Sequence, residues 1–260
     1  MILPIFLPYR DRKPGQVISS FLVSCLLFSH AATAATLTVA VASNFAETLE
    51  LLATEFEIQS THELILVRGS SGRHFSQIIN GAPYDVFFSA DSDRPLRLQQ
   101  RLELPPDRLY SYAHGKLVLW GAQDGSAIDA QRKLETDSFK TLAIANPRLA
   151  PYGRAAVESL QAMGIWTILD SERGRLVRGE NIAQAYQFVA TGNAEIGFVA
   201  LSQVLSAGDD GYWVVPQALY RPIVQQLLIL RDTAETRDLV QFLASDRARS
   251  IIRQSGYDLP

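Results

Sequence analysis

The sequence predicts an α/β protein of two lobes, each a mainly parallel sheet flanked by helices, with a cleft between them. Two observations carry this prediction. Short apolar runs bounded by turn residues alternate with segments of helical spacing, the pattern of βαβ units. That alternation also stops and restarts near residue 116, and a long apolar strand then returns near residue 222. Two connecting segments between two α/β units imply a hinge.

The elements follow in order. "TLTVAVAS" (36–43) reads as a buried strand, and "NFAETLELLATEFEIQS" as a helix with Phe45, Leu49, Leu52, Phe56 and Ile58 on its apolar side. A strand at "LILVRG", a helix at "RHFSQIING", a turn at Gly81-Ala82-Pro83 and a strand at "DVFFSA" complete the first unit. The second unit comprises "KLVLW" (116–120), "TLAIANP" (141–147), the helix "YGRAAVESLQAMG" (152–164), "RLVRG" (175–179), the helix "ENIAQAYQFVATGN" (180–193) and "EIGFVA" (195–200). "PIVQQLLILR" (222–231) is the returning strand, and 235–254 reads as one amphipathic helix. The expected lobes are residues 35–115 with 222–260, and residues 116–221.

Residues 1–34 do not read as part of this fold. Arg10, Arg12 and Lys13 precede an apolar run from Val17 to Phe28, and Ala32-Thr33-Ala34 follows. Basic, apolar and A-x-A segments in that order describe a signal peptide cleaved near Ala34. The lone cysteine, Cys25, lies inside it; "LVSC" resembles a lipoprotein box, but the apolar run continues past it. The cleaved chain would contain no cysteine, and hence no disulfide and no thiol chemistry. Losing three basic residues and one acidic one moves the net charge from −3 to −5. An acidic exported chain without basic runs argues against nucleic acid, and any anion must be attracted locally by donors in a pocket.

Such donors sit at four strand ends that lead into helices: Ser43-Asn44, Ser70-Ser71-Gly72, Ala150-Pro151-Tyr152-Gly153 and Gly179-Glu180-Asn181-Ile182. Ligands of open α/β sheets bind outside the carboxyl ends of the strands, where helix N-termini present free N–H groups to anions. Each turn taken singly is better read as an N-cap or a glycine turn than as an anion site. Other chemistry finds little support. His62, His74 and His114 lack metal-ligand spacing, and neither a Walker A motif nor a GxSxG elbow is present. Asp85 and Asp91 read as strand-edge or capping residues. Arg73 and Arg154, just beyond the binding turns, read as solvated helix starts.

The blocks "TVAVASNFAETL", "GSSGRHFSQIINGAPYDVFFSAD", "IANPRLAPYGRAAVESL" and "GENIAQAYQFVATGNAEIGFVALSQV" resemble, in this order, the periplasmic molybdate-binding proteins of ABC transporters. The resemblance runs from residue 36 to the C-terminus. It implies the two-lobed type II periplasmic binding fold, no enzymatic activity and no cofactor. It further implies molybdate or tungstate as ligand, an inner-membrane ABC permease as partner, a monomer and a periplasmic location. Carried over position by position, it places Ser43 and Asn44, Ser71 with its neighbour Ser70, Tyr152, and the backbone N–H of Ile182 at the oxyanion. One branch of the family uses a tyrosine in "GxVY" where this chain has Ala200, so the resemblance assigns the phenol to Tyr152 instead. Alternatives remain open at this stage: another tetrahedral oxyanion such as sulfate or phosphate, or a periplasmic ester hydrolase. A hydrolase needs a nucleophile or metal with an activating base, and Glu180 is the only acidic or histidine residue within the four turns.

Overall fold

The structure is a computed structural model and describes residues 35–60, 62–121, 127–171 and 174–260, which fall in one compact unit. The signal peptide expected over 1–34, with Cys25, lies outside the described residues. The strands form two five-stranded sheets. The first contains β1 (Thr36–Ala42), β2 (Glu63–Gly69), β3 (Val86–Ser89), β4 (Leu109–Gly115) and β10 (Ile223–Ile229), in the order β2-β1-β3-β10-β4. The second contains β5 (Leu117–Trp120), β6 (Leu142–Ala145), β7 (Leu176–Gly179), β8 (Ile196–Ala200) and β9 (Tyr212–Val214), in the order β7-β6-β8-β5-β9.

Four strands of each sheet run in one direction, as a mainly parallel sheet requires, and one strand in each is reversed. In the first, β10 runs antiparallel to both β3 and β4; in the second, β5 runs antiparallel to β8 and β9. The connectivity explains this. The chain leaves the first sheet along β4 and re-enters it along β10, so the outgoing and returning strands lie side by side. Only Lys116 separates β4 from β5.

The helices follow the sequence pattern with two changes. In α1 (Ala46–Ser60), Leu49, Leu52 and Phe56 are buried together with Phe45 before it, but Ile58 is 77% exposed. Ile58 stands two residues after Phe56, about 200° around the helix, and so leaves the apolar stripe. The single helix expected over 235–254 is two, α9 (Ala234–Leu243) and α10 (Asp246–Gln254). Ser245 accepts the Ala248 N–H at 3.2 Å and caps the second.

Packing fixes the turns that follow β1 and β6. Phe45 is fully buried with its ring 4.6 Å from Tyr112, 5.3 Å from Tyr257 and 5.9 Å from Phe88, centroid to centroid. Burial of one such ring contributes about 1.5–3 kcal/mol. In the second sheet, α5 (Pro151–Ala162) packs Ala155, Ala156 and Leu160 against Leu142, Ile144 and Phe198. These two anchors hold the strand ends of both sheets facing each other.

Candidate oxyanion site

The four strand-end turns meet. Ala42, Ser43, Asn44, Gly69, Ser70, Ser71, Ala90, Ala150, Pro151, Tyr152, Asn181 and Ile182 line one small cavity, part of it open to solvent. All six residues singled out from the sequence are in that lining, and no charged side chain is. Four helix N-termini converge here: α1, α5, α2 (Ser71–Ile79) and α7 (Ile182–Ala190). Each brings partial positive charge from unpaired N–H groups.

The caps determine which donors stay open. Ser70 is the N-cap of α2, its hydroxyl accepting the Arg73 N–H at 3.3 Å; Asn181 caps α7 by accepting from Gln184 N at 3.0 Å. Both caps serve the third helical residue and leave the first one free. Ser43 N–H is committed to Gly69 O at 2.8 Å. By contrast, no hydrogen bond to another described residue occupies the backbone N–H of Asn44, Ser71, Tyr152 or Ile182. Ser71 Oγ accepts from Ala90 N at 2.9 Å, so its own hydrogen remains available as a donor. Tyr152 is buried, and its phenol already accepts from Gln225 Nε2 at 3.3 Å, while its N–H faces no protein partner.

The glycines have reasons other than closeness to an anion. A Cβ on Gly72 would stand 2.9 Å from Leu149 Cα and O, across the cleft; one on Gly69 would strike the His74 ring at 2.8 Å. His74 is buried, and burial pushes its pKa down. Its Nε2–H donates to Val41 O at 3.1 Å, tying the end of β1 to the start of α2.

The two sheets touch around the cavity. Gly72 N donates to Leu149 O at 2.8 Å, and Ser202 Oγ to Asn44 O at 2.9 Å. Arg154 is not the solvated helix-start residue expected. Its guanidinium bonds Asp91 at 2.6 Å and Asp93 at 3.1 Å across the cleft, and Asp91 also holds Arg94. Asp91 Oδ1 also accepts Arg94 N, in the first turn of the helix Asp93–Arg101 (α3), at 3.2 Å. Arg73 is different. It lies 3.7 Å from Glu180 with both side chains more than half exposed, an arrangement that contributes little. Among the described residues no group of three His, Cys, Asp or Glu is placed to hold a metal ion.

Sequence reasoning missed Gln225, Tyr257 and Ser202, which tie the turns together from behind. Paired glutamines inside the apolar run "PIVQQLLILR" were the available signal.

Ser71→Ala tests the geometry at its most loaded residue. Removal strands the buried Ala90 N–H, so the ligand-free protein should lose about 1–3 kcal/mol of stability, read by urea unfolding. An unchanged unfolding midpoint would show that the Ser71–Ala90 bond does not hold the end of β3.

A family profile described as bacterial extracellular solute-binding protein matches residues 37–258. The chain belongs to that family. It is 43% identical over 239 residues to the molybdate-binding protein ModA of Azotobacter vinelandii, covering 90% of this chain and 94% of that one. It is 41% identical over 229 residues to ModA of Rhodobacter capsulatus, covering 87% and 89%. The solved structure of the Azotobacter vinelandii periplasmic molybdate-binding protein superposes with a TM-score of 0.79 at 40% identity, over 86% of this chain and 99% of that one. The Mycobacterium tuberculosis sulfate-binding protein SubI, at 11% identity and a TM-score of 0.68, shares the fold.

Proposed function

We propose that this protein captures molybdate, and tungstate as well, between two lobes and delivers it to an ABC permease of the inner membrane. The lobes are residues 35–115 with 222–260, and 116–221. The protein acts as a periplasmic monomer after cleavage near Ala34, and it is not an enzyme. The observation that carries this reading is a cavity lined by Ser43, Asn44, Ser70, Ser71, Tyr152 and Ile182, without charged groups and with four open backbone N–H donors. The molybdate named for the ModA relatives supports the choice of anion.

The donor chemistry suits a dianion that keeps its charge near neutral pH. Hydrogen bonds to charged groups contribute about 1.5–3 kcal/mol each. The four N–H groups with the Ser43 and Ser71 hydroxyls, at about 2 kcal/mol each, approach the roughly 12 kcal/mol of nanomolar binding. Phosphate still carries a proton and calls for an acceptor; no carboxylate lines the cavity. Sulfate differs from molybdate mainly in size, so the preference over sulfate rests on the molybdate named for the ModA relatives.

The direct test is thermal unfolding with each anion. Molybdate at about 1,000 times its Kd should stabilise the protein by about 4 kcal/mol, raising Tm by about 10 °C. Sulfate and phosphate at the same concentration should leave Tm in place. An equal shift with sulfate, or none with molybdate, contradicts the reading.

A further inference from the structure

The returning strand β10 carries two consecutive glutamines in an apolar run. Strand alternation sends them to opposite faces: the half-buried Gln226 reaches Ser111 with its Nε2 at 3.1 Å, whereas Gln225 is fully buried. On the neighbouring strand β4 the register slips, with Ala113 opposite Gln225 and Ser111 opposite Gln226. Tyr112 is therefore the extra residue of a bulge, a device that re-aims a side chain, and its phenol donates to Gln225 Oε1 at 2.9 Å.

The Gln225 amide makes two further bonds. Its Oε1 accepts from Asn44 Nδ2 at 2.9 Å, and its Nε2 donates to Tyr152 Oη at 3.3 Å. Asn44 follows β1 in the first sheet and Tyr152 opens α5 beside the second; both line the cavity, and Gln225 does not. Asn44 is further held by Tyr257, whose Oη accepts from Nδ2 at 3.1 Å and donates to Asn44 O at 2.6 Å. Gly115, at the end of β4, makes room for the pair. A Cβ there would stand 2.1 Å from Tyr152 Oη and 2.7 Å from Gln225 Nε2.

We infer that Gln225 is a positioning residue that couples the binding turns of the two proposed lobes, holding Asn44 in place only when Tyr152 has docked against β10. The inference rests on the oxyanion reading of the cavity. The physical reason is that a buried amide left with an unpaired donor is costly. Opening the cleft withdraws the Tyr152 phenol and strands Gln225 Nε2, so the network favours the closed arrangement. Without the amide, Asn44 Nδ2 keeps only the Tyr257 hydroxyl as a partner, and the turn that carries its open N–H loosens.

The experiment titrates molybdate into wild-type protein, Gln225→Met, Tyr152→Phe and the double variant. Met keeps the length of Gln without its hydrogen bonds, and Phe keeps the backbone N–H of residue 152. We expect Gln225→Met to raise Kd at least about tenfold, mainly through faster release. The double variant should bind no more than about twofold more weakly than Gln225→Met alone, because the phenol acts through the amide. A merely structural role for Gln225 would give multiplicative effects, and that result overturns the inference. Wild-type protein that binds molybdate while Gln225→Met binds within twofold of it also overturns the inference, but leaves the oxyanion reading intact. Wild-type protein that takes up no molybdate overturns both. Should Gln225→Met fail to fold, Gln225→Asn, one methylene too short to span the pair, is read by the same criteria.

Discussion

Gly72→Ala should weaken molybdate binding by about 5- to 150-fold while leaving the ligand-free protein as stable as before. The added methyl would stand 2.9 Å from Leu149 Cα and O, and Leu149 belongs to the opposite side of the cleft. Backbone cannot rotate away as a side chain tip can, so the clash is relieved only by separating the two sides. Overpacking of this kind costs about 1–3 kcal/mol, the range that corresponds to that loss of affinity. On the proposed two-lobe reading, in which the lobes part when no anion is bound, the cost falls on the closed form; within the first turn of α2 alanine is the better helix former. The ligand-free Tm is the control. Affinity within about twofold of wild type would show that the Gly72–Leu149 approach is not required for binding.

The second large effect is expected at the Asp91 cluster. Asp91 has a side chain only 8% exposed and receives both Arg94 and Arg154, the latter from across the cleft and 32% exposed. Removing one partner of a buried pair costs about 3–5 kcal/mol, and exposed pairs well under 1. Asp91→Asn lies between these limits, at about 2–3 kcal/mol shared between folding and closure. Arg154→Met separates the two contributions, because Arg94 on α3 still neutralises Asp91. Arg154→Met should keep the wild-type Tm, bind molybdate about tenfold more weakly, and lose part of the salt dependence of binding. Unaltered affinity in Arg154→Met would confine the cluster to a folding role.

Much of this was legible in the sequence, and the missing parts share a cause. The alternation of apolar runs and helical segments was sufficient to place β1, α1, β2, α2 and β3, because each obeys its own period. The four turns were visible as Ser, Asn and Gly at strand ends, and they do line one cavity. Relations between distant segments were not visible. The antiparallel pairing of β10 with β4 depends on where the chain returns. The need for glycine at position 72 comes from Leu149, and the role of Arg154 from Asp91, 63 residues away. Ser245 was a readable cap inside an apparently continuous helix, and the helical period concealed it. Gln225 shows the same limit most clearly: its three partners come from β4, the β1 turn and α5, so no local window holds them.

The buried phenols set an alkaline limit on stability. Burial pushes the pKa of Tyr112, Tyr152 and Tyr257 upward in the folded protein, whereas tyrosines of the unfolded chain titrate near about 10. Stability is therefore full below that pH and is lost as pH rises past it, because the unfolded chain gives up these protons first. Melts at stepped pH should show a level Tm to about pH 9.5 and a fall beyond it. A Tm that stays level to about pH 11 would mean the phenols ionise freely in the folded state.

Isothermal titration of the mature chain with molybdate and with sulfate, repeated from about pH 6 to 9, tests the central claim most directly. The account predicts one molybdate per chain, near-nanomolar affinity (about −12 kcal/mol), sulfate weaker by at least about 100-fold, and no change in affinity across the range, since none of the proposed donors titrates there. Equal binding of the two anions, or a molybdate affinity that rises steeply as the solution is acidified, would contradict it.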